Sequence, residues 1–543
     1  MSFHEHSSID TSKQLLKTPV LWPLFILILI GLIGHSLFWS APFVNLEYVY
    51  HQSAEIITSG QGLKISLLHL FEGFNNPLGN TLVIAGAQSI LGATEWSSRI
   101  PSIVSWLICV SMIYIMGCRW WSLSVGILAA IIVGFSPLFW VYGGIAYPDV
   151  PFTAVITITM FVAGFATYRN SLRLHLLAAL LLGLATLFRY NGILFFPAIA
   201  IYVALQMYVN QDIHNLTKWK LDTLKVCSVY VVVCGVILIP YLLWTKQVVG
   251  MVLRPGFVLV APTDIIFHIA ASVPRIGGYM IWLGALVLPF TVLILQQIRM
   301  RLQKRSFLSV AAILFPLNVA IIAAVQYLEF TSGELFGEMW FGWLERLLPI
   351  SIIVVMRFIF LTASEVVVVG LIIWGKQKIW PNTFVVLWLL VPLLIHSFYR
   401  MSQRYVIFFL PPLAVYVAYI IVKSGTFSRR RKIAIALCVV YMTIYPSIGL
   451  FTSAYYSAEG HAAAKVAEFV NDNKINIAAS RHNPVLTNSL YLVDESRFAD
   501  SEAFIDHRLV ALGRHGSIEN AIYVRDVRVI GLLIKRYVVL PLS

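Results

Sequence analysis

Long apolar runs separated by short polar breaks set the rhythm of this chain, and thirteen of the runs read as helices that cross a bilayer. They lie near residues 20–40, 98–118, 122–140, 150–168, 172–187, 190–208, 226–248, 278–298, 306–327, 348–374, 380–397, 405–423 and 432–451. Apolar and polar residues do not alternate as they would in barrel strands. Each backbone amide must therefore find its partner inside a helix. The pattern predicts an all-α polytopic membrane protein that ends in a small α/β unit.

The breaks carry the topology. Basic residues collect at Arg119, at Arg169 and Arg173, at Lys218 and Lys220, at Arg299 to Arg305, at Lys376 and Lys378, and at Arg429 to Lys432. With the N-terminus in the cytoplasm, every one of these breaks falls on the cytoplasmic side, as the positive-inside pattern requires. Residues 77–93 are apolar enough to span, but counting them would invert every later loop, so they are expected to lie along the outer surface as an interfacial helix. The expected division is a cytoplasmic tail at 1–19, a membrane domain at 20–452 with a long first outer loop at 41–97, and a small soluble domain outside the membrane at 453–543. In that last part, 462–471 reads as helix, and 475–479 and 527–540 read as strand.

Composition strengthens the membrane reading: of 543 residues, 59% are hydrophobic and 12% charged, and the mean hydropathy is +0.82. The formal charge of +14 sits in short loops between spans, which argues against nucleic acid as a partner and for membrane lipid. The five cysteines lie within or beside apolar runs and form no C-x-x-C pair, so neither a disulfide scaffold nor a zinc site follows.

Candidate chemistry sits in the outer loops. The first begins NLEYVYHQSAEIITSGQG and places Glu47 at a span exit on a short surface helix. A carboxylate there can take a proton from a hydroxyl, although a helix N-terminus favours negative charge in any case. The second carries YGGIAYPDVPF, where Pro148 and Pro151 flank Asp149 just before a span. That Asp can serve as a base or as a plain helix cap. Arg189 in LFRYNG, with Arg400 and Arg404 in YRMSQRYVIFFLPP, stands at the outer boundary. A guanidinium there can grip a lipid phosphate in two places, or it can snorkel to headgroups. Tyr50, Glu72, Tyr147 and Tyr190 are candidates for substrate contacts.

Taken in order, LEYVYHQSAEIITSG, NPLGNTL, SSRIPS, SPLFWVYGGIAYPDVPF, LATLFRYNGILFFPA and QRYVIFFLPPLAVY resemble the GT-C membrane glycosyltransferases. The nearest branch contains protein O-mannosyltransferases and lipid A aminoarabinose transferases. The resemblance implies inverting transfer of a sugar from a polyprenyl-phosphate donor to a hydroxyl of a protein, lipid or glycan acceptor on the outer face. It requires no cofactor and leaves room for a divalent cation. By position, Glu47 matches the second residue of the family's Asp-Glu pair, Asp149 the acidic residue of the second outer loop, and Arg189 and Arg404 phosphate-holding residues. Glu72 is similar to an acidic residue before the family's proline motif. The chain departs from the pattern at Leu46, where the family carries its Asp. Glu47 therefore ranks first as the base, with Asp149 next.

Two other classes compete. A secondary transporter would use charges at membrane depth, and Arg357 with Glu365 in the tenth span supplies such charges. A non-catalytic protein that binds a lipid-linked sugar would account for Leu46.

Overall fold

The computed structural model describes residues 20–43, 47–73, 76–209, 216–251, 262–301, 304–332, 348–375, 379–398, 402–423, 431–473, 507–513, 523–529 and 532–541. The tail at 1–19 and the strand expected at 475–479 lie outside these residues. The helices of the first third are α1 Trp22–Ser36, α2 Glu47–Thr58, α3 Leu63–Gly73, α4 Gly79–Leu91, α5 Glu95–Trp120, α6 Leu123–Gly134, α7 Pro137–Gly143 and α8 Asp149–Arg169. There follow α9 Leu172–Phe188, α10 Phe196–Val209, α11 Leu216–Val249, α12 Pro262–Arg301 and α13 Lys304–Ser332. The last helices are α14 Ile350–Gly375, α15 Phe384–Ser397, α16 Val406–Lys423 and α17 Arg431–Asp472.

Eight of the described helices are long and apolar enough to cross a membrane, and α6 with α7 makes a ninth if that bent pair crosses as one. Four shorter apolar helices, Trp22–Ser36, Leu172–Phe188, Ala312–Leu328 and Pro381–Ser397, join them. Each of the thirteen expected segments overlaps one of these units. The chain is a multi-pass helical membrane protein.

Burial sorts the helices into layers. The apolar window of α16 is 89% buried and that of α11 only 17%. The first lies at the centre of the bundle, while the second turns Val231, Val232, Val236, Ile239 and Leu243 outward, as a lipid-facing helix does. At membrane depth, Glu365 accepts a hydrogen bond from Asn318 Nδ2 at 2.9 Å, and the same amide donates to Thr362 at 3.1 Å.

Local sequence explains the breaks that frame the helix ends around Asp149. The pair α6–α7 bends by 64° where Ser136 caps the Phe139 amide and Pro137 opens the new helix, a residue that cannot continue the old one. Helix α5 starts on a capping box, Thr94 with Ser97. The stretch expected to lie on the outer surface forms α4, with Asn80, Thr81, Ile84, Ala85 and Gln88 buried along one face. Leu82, Val83, Ile90 and Leu91 are exposed, the profile of a helix lying flat on an apolar boundary.

The tail differs from expectation at its start. A boundary at 452 falls inside α17, which runs unbroken from Arg431 to Asp472. Beyond it, the β-branched stretch at 527–540 divides into two strands. β1 His507–Gly513, β2 Tyr523–Val529 and β3 Leu532–Pro541 form an antiparallel sheet in the order β1-β3-β2, with Val538 opposite both Val510 and Val524.

Candidate active site

Three of the expected residues converge. Asp149 is the first residue of α8, where the helix dipole favours a carboxylate. Arg189 ends α9 in an extended conformation before the 3-10 turn Tyr190–Phe195. Arg404 lies in the 3-10 turn Gln403–Tyr405 that leads into α16. Arg189 Nη1 donates to Asp149 Oδ1 at 3.0 Å, and both side chains are almost fully buried. The two guanidiniums share one ring, with the Arg189 carbon 5.0 Å and the Arg404 carbon 5.6 Å from the centre of Tyr405.

The cluster is left incomplete by the protein. Asp149 Oδ2, Arg189 Nε and Arg404 Nε are buried with no hydrogen-bond partner. Buried polar atoms are seldom left so. Two permanent cations face one carboxylate, so the cluster carries surplus positive charge and open donors, the complement of an anion. Burial pushes the Tyr405 phenol up, but Arg189 and Arg404 outweigh it and hold the hydroxyl below the usual tyrosine range. Tyr50 feels the same two arginines, yet burial prevails and pushes its phenol up. Its hydroxyl accepts from Asn76 Nδ2 at 2.6 Å, and its ring meets Tyr147 edge-on at 5.9 Å, which in turn lies 6.1 Å from Tyr142.

Backbone contact fixes the loop that carries Arg189. A Cβ on Gly192 would come within 2.8 Å of the Thr186 backbone nitrogen, and one on Gly79 within 2.4 Å of the Leu187 carbonyl oxygen. Only glycine lets the turn fold back on α9 and lets α4 butt against its end.

Glu47 differs in its surroundings from the sequence expectation. It is not a surface carboxylate but fully buried. Its oxygens accept from Arg99 Nε at 3.1 Å, from Arg99 Nη2 at 2.9 Å and from the Ala146 amide at 2.7 Å. Its arginine is Arg99, not Arg189 or Arg404. Arg99 also donates to the carbonyls of Phe38, Trp39, Ala41 and Pro42, the stretch that follows the end of α1 at Ser36. The ion pair thus ties the first loop to the segment before Asp149. Sequence reading missed Arg99, although SSRIPS was visible. It also missed Tyr405, whose signal was its place beside Arg404. Tyr190 opens its 3-10 turn next to Tyr241, whose hydroxyl accepts the Leu78 amide at 3.1 Å. Arg400 and the side chain of Glu72 lie outside the described residues. Among the described residues, no group of three or more His, Cys, Asp or Glu gathers where it could hold a metal ion.

Residues 75–244 match the family model described as dolichyl-phosphate-mannose-protein mannosyltransferase. The chain resembles the GT-C glycosyltransferases. The matched stretch holds Asp149 and Arg189. No curated protein sequence matches it. The fold is similar to ArnT from Cupriavidus metallidurans bound to undecaprenyl phosphate, at a TM-score of 0.52 and 11% identity over 96% of this chain and 98% of that one. The apo state of that protein gives 0.51 at 11% identity, over 95% and 97%. The archaeal oligosaccharyltransferase AglB from Archaeoglobus fulgidus, in complex with an inhibitory peptide and a dolichol-phosphate, gives 0.48 at 11% identity over 90% of this chain and 69% of that one.

Proposed function

We propose that this chain is an inverting glycosyltransferase that moves a sugar, mannose or similar, from a polyprenyl-phosphate donor to an acceptor hydroxyl on the outer face of the membrane. The observation that carries the reading is the cluster of Asp149, Arg189 and Arg404 with its three unpartnered polar atoms. The likeness to a protein crystallised with undecaprenyl phosphate supports the class of lipid. Thirteen crossings, a cytoplasmic N-terminus and an outer tail belong to the same proposal.

In this reading Arg189 and Arg404 hold the donor phosphate and take up the charge it gains on leaving. Asp149 Oδ2 orients the acceptor hydroxyl and removes its proton. The acceptor oxygen bonds to the anomeric carbon on the face opposite the phosphate. The bond from that carbon to the phosphate oxygen breaks, and its electron pair leaves with the lipid phosphate. The configuration at the sugar inverts. Because Glu47 is held on both oxygens, the role of base passes to Asp149.

The test is transfer by purified protein in bilayers supplied with polyprenyl-phosphate sugars. Asp149→Asn is expected to lower turnover about 10²- to 10⁴-fold, the contribution typical of a general base, while donor binding persists. Wild-type turnover in that variant would overturn the assignment of the base. Solute flux without any transfer would favour the transporter class.

A further inference from the structure

His396 stands in the last turn of α15, buried, with both ring nitrogens engaged. Nδ1 lies 2.8 Å from the Pro392 carbonyl oxygen and Nε2 lies 3.0 Å from Asn191 Nδ2. A carbonyl only accepts, so Nδ1 carries the proton, and a side-chain amide nitrogen only donates, so Nε2 is bare and accepts from it. Asn191 is the second residue of the 3-10 turn Tyr190–Phe195, two positions after Arg189. The hydrogen bond therefore ties the end of α15 to the loop that carries Arg189. The same imidazole stands edge-on to Tyr405 at 5.9 Å, to Phe408 at 6.0 Å and to Phe409 at 5.4 Å, arrangements that aromatic rings favour. Tyr405 and Phe408 are the rings over which the Arg189 guanidinium lies, at 5.0 Å and 5.6 Å, and Tyr405 also carries Arg404.

Two guanidiniums that grip one phosphate repel each other until it arrives, and their separation must match its oxygens. Arg189 is extended and leads into a 3-10 turn, so no α-helical ladder fixes its position. A histidine that only filled the core could take partners from any neighbouring helix. Those of His396 outside α15 all lie in the turn after Arg189, at Asn191 and Phe195, or in the stretch Tyr405–Phe409. We propose that His396 is a positioning residue for the phosphate site: through Asn191 and the Tyr405 ring it sets the spacing of Arg189 and Arg404, and so the fit of the donor phosphate, without itself touching the donor. This role rests on the reading of Arg189 and Arg404 as the holders of that phosphate.

The test titrates the full chain in phosphatidylcholine nanodiscs with farnesyl phosphate, a polyprenyl phosphate short enough to add from solution, and scores sugar transfer in the same preparation. His396→Phe keeps a ring in place but removes both hydrogen bonds, and should raise the Kd about tenfold with the stoichiometry unchanged. Asn191→Ala, at a half-buried position, should raise it by a similar factor. The double variant should be no weaker than about tenfold, because the two changes remove one and the same bond. His396→Gln, whose amide oxygen can take the Asn191 donor, should return the Kd to within about threefold of the wild type. A wild-type Kd in His396→Phe, or losses that multiply to about a hundredfold in the double variant, would overturn the role of His396 and leave the transferase reading standing. A fall in stoichiometry at wild-type affinity would mark a purely structural residue and overturn it equally. Wild-type protein that neither binds farnesyl phosphate nor transfers sugar would overturn both.

Discussion

At the scale of residues, the site turns on two guanidiniums that share the Tyr405 ring while one carboxylate oxygen stays open. Tyr405 then sets a pH limit. Its hydroxyl ionises below the usual tyrosine range, so raising the pH creates a phenolate between the arginines earlier than an ordinary tyrosine would. That anion competes with a phosphate for the same charge. Affinity for a polyprenyl phosphate should therefore fall on the alkaline side, and Tyr405→Phe should remove that fall while leaving affinity near pH 7 within a few-fold, as titration by lipid-binding fluorescence would show. A profile with the same alkaline limb in the variant would contradict this role. Asp149, Arg189 and Arg404 were legible in the sequence because each stands at the polar edge of an apolar run. The fate of Glu47 was not. Its partner lies 52 residues away, and no local pattern announces a pairing at that distance.

At the scale of elements, the Glu47–Arg99 pair joins the turn after α1, the start of α5 and the segment before α8. Removing one partner of a buried ion pair leaves the other charge without compensation, at a cost of about 3–5 kcal/mol. Glu47→Ala and Arg99→Ala should each lower thermal stability in bilayers by an amount of that order, and the double variant should cost less than the two losses added together. Additive losses would show that the pair does not act as a unit. Helix positions were readable along nearly the whole chain, because apolar length alone identifies a membrane helix. The bend at Ser136–Pro137 falls inside the single span expected at 122–140 and was missed, although its cap and proline carry the signal. The unbroken course of α17 to Asp472 could not be read, because its polar C-terminal half resembles the sequence after it in composition.

At the scale of the whole molecule, the proposed reaction needs both acidic and basic groups on the same outer rim. Single cysteines placed at Thr94 and at Asn170, opposite ends of neighbouring helices, should be labelled by an impermeant reagent from outside at the first position and not at the second. The reverse pattern would invert the topology. The central claim is the phosphate site itself. A cryo-electron microscopy map of the full chain in nanodiscs with a polyprenyl phosphate should place the phosphorus within hydrogen-bonding reach of both Arg189 and Arg404, with Asp149 Oδ2 facing the open side. Density for the phosphate away from both arginines, with the cluster left empty at saturating lipid, would contradict the account.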